Sequence, residues 1–171
     1  KPLGEKEFCA ALAEVIGIIE ASEVAPTYYE LLIALAYWYF EKSGVDYAVI
    51  ETGLGGLQDS TNVAERADKL CVITDIGYDH MHVLGSTLPE ISLQKAGIIH
   101  EGNQVLMYEQ SSEITNVIKN WCDQKSAKLS LLKQEDLEKS FLKSAIFKNL
   151  PDFQKRNWLL AYQAYNFLQA R

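Results

Sequence analysis

Cysteine is scarce in this sequence and cannot build a framework. Cys9, Cys71 and Cys122 are odd in number and far apart. They read as reduced, mostly buried thiols of a cytoplasmic protein. Positive charge is also short: the net charge is -7 and the pI about 5.0. That balance argues against nucleic-acid binding, yet leaves room for a small phosphate site made of local donors and a metal. No run reaches the ~20 apolar residues of a membrane span. The most apolar stretch, Leu31 to Phe40, is bracketed by Glu30 and Glu41. There is no signal-peptide pattern, internal repeat, low-complexity tract or linker, so residues 1-171 are read as a single domain with one core. The chain opens on Lys1 rather than methionine and ends on a helical pattern. It is therefore expected to be a piece of a longer protein.

What is present is an alternation of helical and strand-like segments. Gly4 to Ala21 carries Phe8, Ala11, Leu12, Val15, Ile16 and Ile19 at helical spacing. Thr27 and Glu30 have capping-box spacing, and the helix they open is apolar nearly all round to about Lys42. Such a helix is expected to pack on more than one side. Tyr47-Ala-Val-Ile-Glu51, Leu70 to Asp75 and Gln104 to Tyr108 read as buried parallel strands. Lys128 to Leu132 is a candidate fourth. Helices are predicted over Leu88 to Lys95, Ser112 to Gln124 and Pro151 to Arg171. Gln134 to Lys143 is ambiguous, and Ser144 to Phe147 suits a short edge strand. The fold class is therefore α/β, a mostly parallel sheet with helices on both faces.

Chemistry gathers where strands end. Glu51-Thr-Gly-Leu-Gly-Gly56 places a carboxylate and three glycines past a strand, where parallel sheets bind ligands. A hard cation such as magnesium would pair with that Glu51; a solvated glutamate before an ordinary turn fits the same residues. Asp59-Ser-Thr-Asn62 suits ligand hydrogen bonding or a plain Asx turn. Asp75-Ile-Gly-Tyr-Asp-His80 sits past the next strand. His80 is an acceptable metal ligand, or one half of a capping Asp-His pair. Lys95, near a helix end before Gly97, normally just complements the helix dipole. His82 and His100 have no comparable setting.

The order of these segments resembles the folylpolyglutamate synthase and dihydrofolate synthase family, within the wider Mur ligase superfamily. The likeness is carried by Thr27-Tyr-Tyr-Glu30, Glu51-Thr-Gly-Leu-Gly-Gly-Leu-Gln-Asp-Ser-Thr-Asn62, Ile73-Thr-Asp-Ile-Gly-Tyr-Asp-His80, Leu84-Gly-Ser-Thr87, Gln94-Lys-Ala-Gly-Ile-Ile99 and Gln154-Lys-Arg-Asn157. It covers almost the whole chain. The resemblance implies a central-domain-like nucleotide-binding fold and ATP-driven amide formation through an acyl-phosphate. Its partners would be ATP, glutamate and a folate or dihydropteroate. Two magnesium ions are implied: Glu51 would hold one and His80 the other. Lys95 would be the lysine that is carbamylated to bridge metal. Asn157 and Gln154 would meet the adenosine part, and Asp59, Thr61 and Asn62 would lie on the substrate side.

The sequence departs from the family in definite places. Nothing matches the phosphate-loop pattern G-x-x-x-x-G-K-[ST]. The nucleotide-binding fold is thus expected to be incomplete, and the chain alone inactive. Leu57 stands where the family usually has Arg, Gln94 where it has Glu, and Phe153 where His or Tyr is common. Two alternatives stay open: another Mur-type ligase, or a non-catalytic binding or scaffold module.

Overall fold

The computed structural model describes residues 2–139 and 149–170. It divides into two compact units, Lys1–Gly53 and Leu54–Arg171.

The first unit is a pair of helices, α1 (Glu5–Glu20) and α2 (Tyr28–Ser43). α2 starts where the sequence predicts. The Glu30 amide donates to Thr27 Oγ1 at 3.3 Å, and the Thr27 amide donates to Glu30 Oε2 at 2.7 Å, so two orphan donors of the first turn are satisfied reciprocally. These bonds hold the Glu30 carboxyl below its ordinary pKa. Ala11, Val15 and Leu35 form the small core, flanked by Leu12, Leu31 and Trp38. Lys42 reaches both carboxylate oxygens of Glu14, at 2.7 and 2.8 Å, and lies over the Trp38 ring. In α2 only Leu35 is fully buried; most other apolar side chains are half-buried.

Tyr47–Glu51 differs from its expectation. The sequence pattern predicts a buried strand, but the segment is irregular and Val49 is 93% exposed. The physical reason is pairing. A parallel strand exists only through its ladder of hydrogen bonds, and no strand pairs with this segment among the described residues.

The second unit is the α/β body. Three parallel strands lie in the order β1 (Leu70–Ile73), β2 (Gln104–Tyr108), β3 (Lys128–Leu132). Register runs from Leu70 beside Gln104 to Ile73 beside Met107, and from Gln104 beside Lys128 to Tyr108 beside Leu132. Between β1 and β2 come α3 (Met81–Leu84) and α4 (Leu88–Ala96). α5 (Ser112–Gln124) joins β2 to β3. α6 (Gln134–Lys139) and α7 (Asp152–Gln169) follow. The expected edge strand at 144–147 lies outside the described residues.

Alternation along β2 explains the two layers. Val105 and Met107 face a core with Ile91, Ala96, Ile99, Ile114 and Ile118. Leu106 and Tyr108 face the other side, against Leu159 and Leu160 of α7. Helices thus cover both faces, as the buried apolar runs require. Each fully buried Ile or Leu contributes roughly 1.5–3 kcal/mol relative to exposure. No helix among the described residues is long and apolar enough to cross a membrane.

β1 ends at Ile73, two residues earlier than predicted. A side chain takes over its ladder: Gln110 Nε2 donates to the Thr74 carbonyl at 3.3 Å, and Gln110 Oε1 accepts from the Ile76 amide at 2.7 Å.

Candidate functional site

The glycine loop is seated on the C-terminal end of α4. The Leu57 amide donates to the Gln94 carbonyl at 2.8 Å. Two glycines face each other across this seam. A β-carbon on Gly56 would lie 2.7 Å from the Gln94 carbonyl oxygen and 3.1 Å from that of Lys95; one on Gly97 would lie 2.3 Å from Leu57 Cα. No larger residue permits that approach. The loop therefore reaches the helix turn that carries Lys95. Lys95 is half-buried, and its side chain has no hydrogen-bond or ion-pair partner among the described residues.

The segment bearing His80 adjoins the same loop. Leu84, the last residue of α3, fills the space beside Gly55, where a β-carbon would sit 2.8 Å from Leu84 Cδ2. His80 caps α3 from the left-handed region, φ 47°. Its amide donates to Asp79 Oδ1 at 2.8 Å, and its ring Nε2 stands 3.6 Å from that oxygen. The ring is exposed, 6.2 Å from the His82 ring centroid to centroid. Leu84-Gly-Ser-Thr87 joins α3 to α4 and supplies Thr87 as the N-cap of α4. Glu90 Oε2 accepts from the Ser86 and Thr87 amides at 2.7 and 3.0 Å, and these bonds hold its carboxyl below the usual range.

Glu51 belongs to the first unit, where it is exposed and in no strand. Among the described residues no three His, Cys, Asp or Glu side chains gather into a metal-holding group.

Asp59, Thr61 and Asn62, expected on the substrate side, organise the loop. Asp59 Oδ2 accepts from the Leu54 amide at 2.8 Å, and Oδ1 accepts from the Thr61 amide at 2.9 Å and from its hydroxyl. Asn62 Nδ2 donates to the Gly97 carbonyl at 3.0 Å, and Asn62 Oδ1 lies 2.9 Å from His100 Nε2. His100 thus has a structural partner that its sequence setting did not suggest. Burial lowers its pKa, and the charges of Lys69 and Lys125 lower it further against Glu65.

Gln154 and Asn157 are exposed in the first turns of α7. Three residues apart, they share a helix face. Arg156 lies off that face and reaches the carboxyl edge of the sheet. Its Nε donates to Asp75 Oδ1 and Oδ2 at 3.0 and 2.9 Å, and Nη2 also bonds to Oδ2. The guanidinium is 5.6 Å from the Tyr108 ring centroid. The bond to Asp75 raises the Arg156 pKa further.

Sequence reasoning missed three residues that shape this region. Arg156 sat unremarked inside the Gln154–Asn157 run, and Asp75 is 81 positions away. Gln110 carried no local signal. Asn103 is fully buried and takes the His100 amide at 2.9 Å while donating to the Arg66 carbonyl at 2.8 Å. Its place between Gly102 and β2 was the one available hint.

No family model matches the chain. It is similar to the dihydrofolate synthase/folylpolyglutamate synthase of Bacillus subtilis, 40% identical over 131 residues, 74% of this chain and 30% of that protein. A folylpolyglutamate synthase of Mycobacterium tuberculosis, solved with ADP and AMPPCP, superposes with TM-score 0.66 at 28% identity, over 77% of this chain and 31% of that one. A folylpolyglutamate synthase complex with AMPPCP and folate gives TM-score 0.72 at 32% identity, over 77% of this chain and 33% of that one. The chain spans about a third of the length of these relatives. Over the stretch it spans, with its glycine loop on α4 and its parallel sheet between helix layers, the chain belongs to the folylpolyglutamate synthase and dihydrofolate synthase family.

Proposed function

We propose that the chain is the central ATP-binding domain, over residues 1-171, of a cytoplasmic ligase. The ligase adds glutamate to a folate or pteroate carboxylate at the expense of ATP. The observation that carries this reading is the seating of the glycine loop on the α4 turn beside a half-buried, unpartnered Lys95. A half-buried lysine amine with no partner among the described residues is open to a functional one. The relatives' names supply the substrate class: folate, glutamate chains and an ATP analogue.

The residues present fit magnesium by their donor chemistry. Glu51 offers the hard carboxylate oxygens that magnesium favours, and His80 would add a single ring nitrogen; both side chains are exposed. Lys95 becomes an oxygen donor when its amine adds to carbon dioxide and releases a proton. Bound magnesium would supply charge neutralisation at the phosphates. In the reaction, the substrate carboxylate attacks the γ-phosphoryl group and ADP departs. The amine of glutamate then attacks the acyl-phosphate and displaces phosphate. Gln154 and Asn157 would meet the adenosine part from their shared face of α7. Asp59 and Asn62 would act on the substrate side by shaping the loop through the bonds described above.

The 171 residues hold no G-x-x-x-x-G-K-[ST] loop. The proposal therefore includes that this chain alone does not turn over ATP. Calorimetry of AMPPCP with magnesium on the full-length protein tests the assignment. Glu51→Ala and His80→Ala should each weaken magnesium-dependent binding at least about tenfold. Unchanged binding in both variants would remove the metal assignment.

A further inference from the structure

Asp75 and Arg156 meet at the carboxyl edge of the sheet from two elements distant in sequence. Asp75 lies in the segment between β1 and His80. Its backbone is fixed on either side, because Gln110 binds the Thr74 carbonyl and the Ile76 amide. The carboxylate is therefore presented in one place. Arg156 takes it with Nε and Nη2 of its planar fork and lies over Tyr108, the last residue of β2. Neighbouring cations are otherwise engaged: Lys155 pairs with Asp152 at 3.1 Å, and Lys133 lies 3.6 Å from Glu109. Arg156 is thus the cation that Asp75 has among the described residues. On α7 it stands between Gln154 and Asn157.

We infer that Arg156 is a positioning residue: by gripping Asp75 and covering Tyr108 it ties the helix that carries Gln154 and Asn157 to the loop that leads to His80. The inference rests on the ligase reading above and deepens it. The nucleotide side of the site sits on α7, and the metal side sits on the β1–α3 loop. Leu159 and Leu160 seat α7 on the sheet, but no backbone ladder joins the helix to the loop; the Arg156–Asp75 pair is the directional link between them. Arginine suits the task better than lysine, because a planar fork fixes orientation as well as distance.

The test uses the full-length protein and measures ATP KM, kcat, the magnesium concentration for half-maximal rate, and the melting temperature. Arg156→Ala should raise the ATP KM and the magnesium requirement together, by about tenfold each. Arg156→Lys should recover part of this. The exchange Asp75→Arg with Arg156→Asp should perform better than either single change. A loss of kcat that follows melting temperature alone, with KM and magnesium requirement unchanged and no benefit from the exchange, overturns the inference. Wild-type protein lacking ATP-dependent ligation overturns the ligase reading itself, and this inference with it.

Discussion

Two seams hold this site, and they are made of different materials. The seam between the glycine loop and α4 is backbone against backbone. Gly56 and Gly97 leave no room for a methyl group, and the Leu57 amide bonds the Gln94 carbonyl across it. The seam between α7 and the β1–α3 loop is charge against charge, with the side chains of Arg156 and Asp75 26% and 34% exposed. The first fails by shape and is indifferent to salt. The second tolerates changes of size and weakens as salt screens it.

The largest expected effect falls on the shape-built seam. Gly97→Ala should destabilise the protein by about 3 kcal/mol, because Leu57 backbone would have to move; urea unfolding measures it. If Gly97→Ala melts like the parent, the seam is looser than described. Next comes the buried amide that supports the turn beyond it. Asn103→Ala leaves the Arg66 carbonyl and the His100 amide without their partners, and should cost about 2 kcal/mol in the same assay. Arg156→Ala should cost no more than about 1 kcal/mol, since its pair is partly solvated. That loss should shrink with added salt, whereas the Gly97→Ala loss should not. Equal salt dependence would erase the distinction between the two seams.

The last effect appears only at high pH. Burial pushes the thiols of Cys71 and Cys122 up to about 11 from 9.0. A pKa raised on folding gives stability that is complete below the unfolded value and lost as pH rises through the folded one. Stability should therefore fall between pH 9 and 11, and Cys71→Ala should flatten that fall. Alkylation at neutral pH should modify exposed Cys9 and spare the other two.

The comparison also explains what the sequence could disclose. A shape-built seam leaves a local trace: glycines cluster in Gly53-Leu-Gly-Gly56 and recur at Gly97, so the loop and its helix stood out. Several elements of the α/β body were legible for a similar reason. β2, α5 and β3 fall at their predicted boundaries because apolar alternation and helical spacing are local patterns. The charge-built seam left none, because nothing near Asp75 specifies a partner 81 residues away. α3 was missed because four residues are too short to show a helical period. Tyr47–Glu51 was misjudged because apolarity signals a wish for burial but does not say whether a neighbouring strand is there to pair. Asn62 was legible as polar and loop-borne. Its bonds to Gly97 and His100 were not, since they depend on how the loop folds back.

We propose that the seam beside Lys95 and the loop of His80 serve ATP-driven glutamate ligation. The most direct measurement is the ATP- and magnesium-dependent incorporation of labelled glutamate into a folate by the full-length protein, beside His80→Ala and Lys95→Ala variants checked for unchanged folding. The account predicts incorporation by the parent and a loss of about a hundredfold or more in each variant. Parent-like rates in both variants, or no incorporation by the parent, would contradict it.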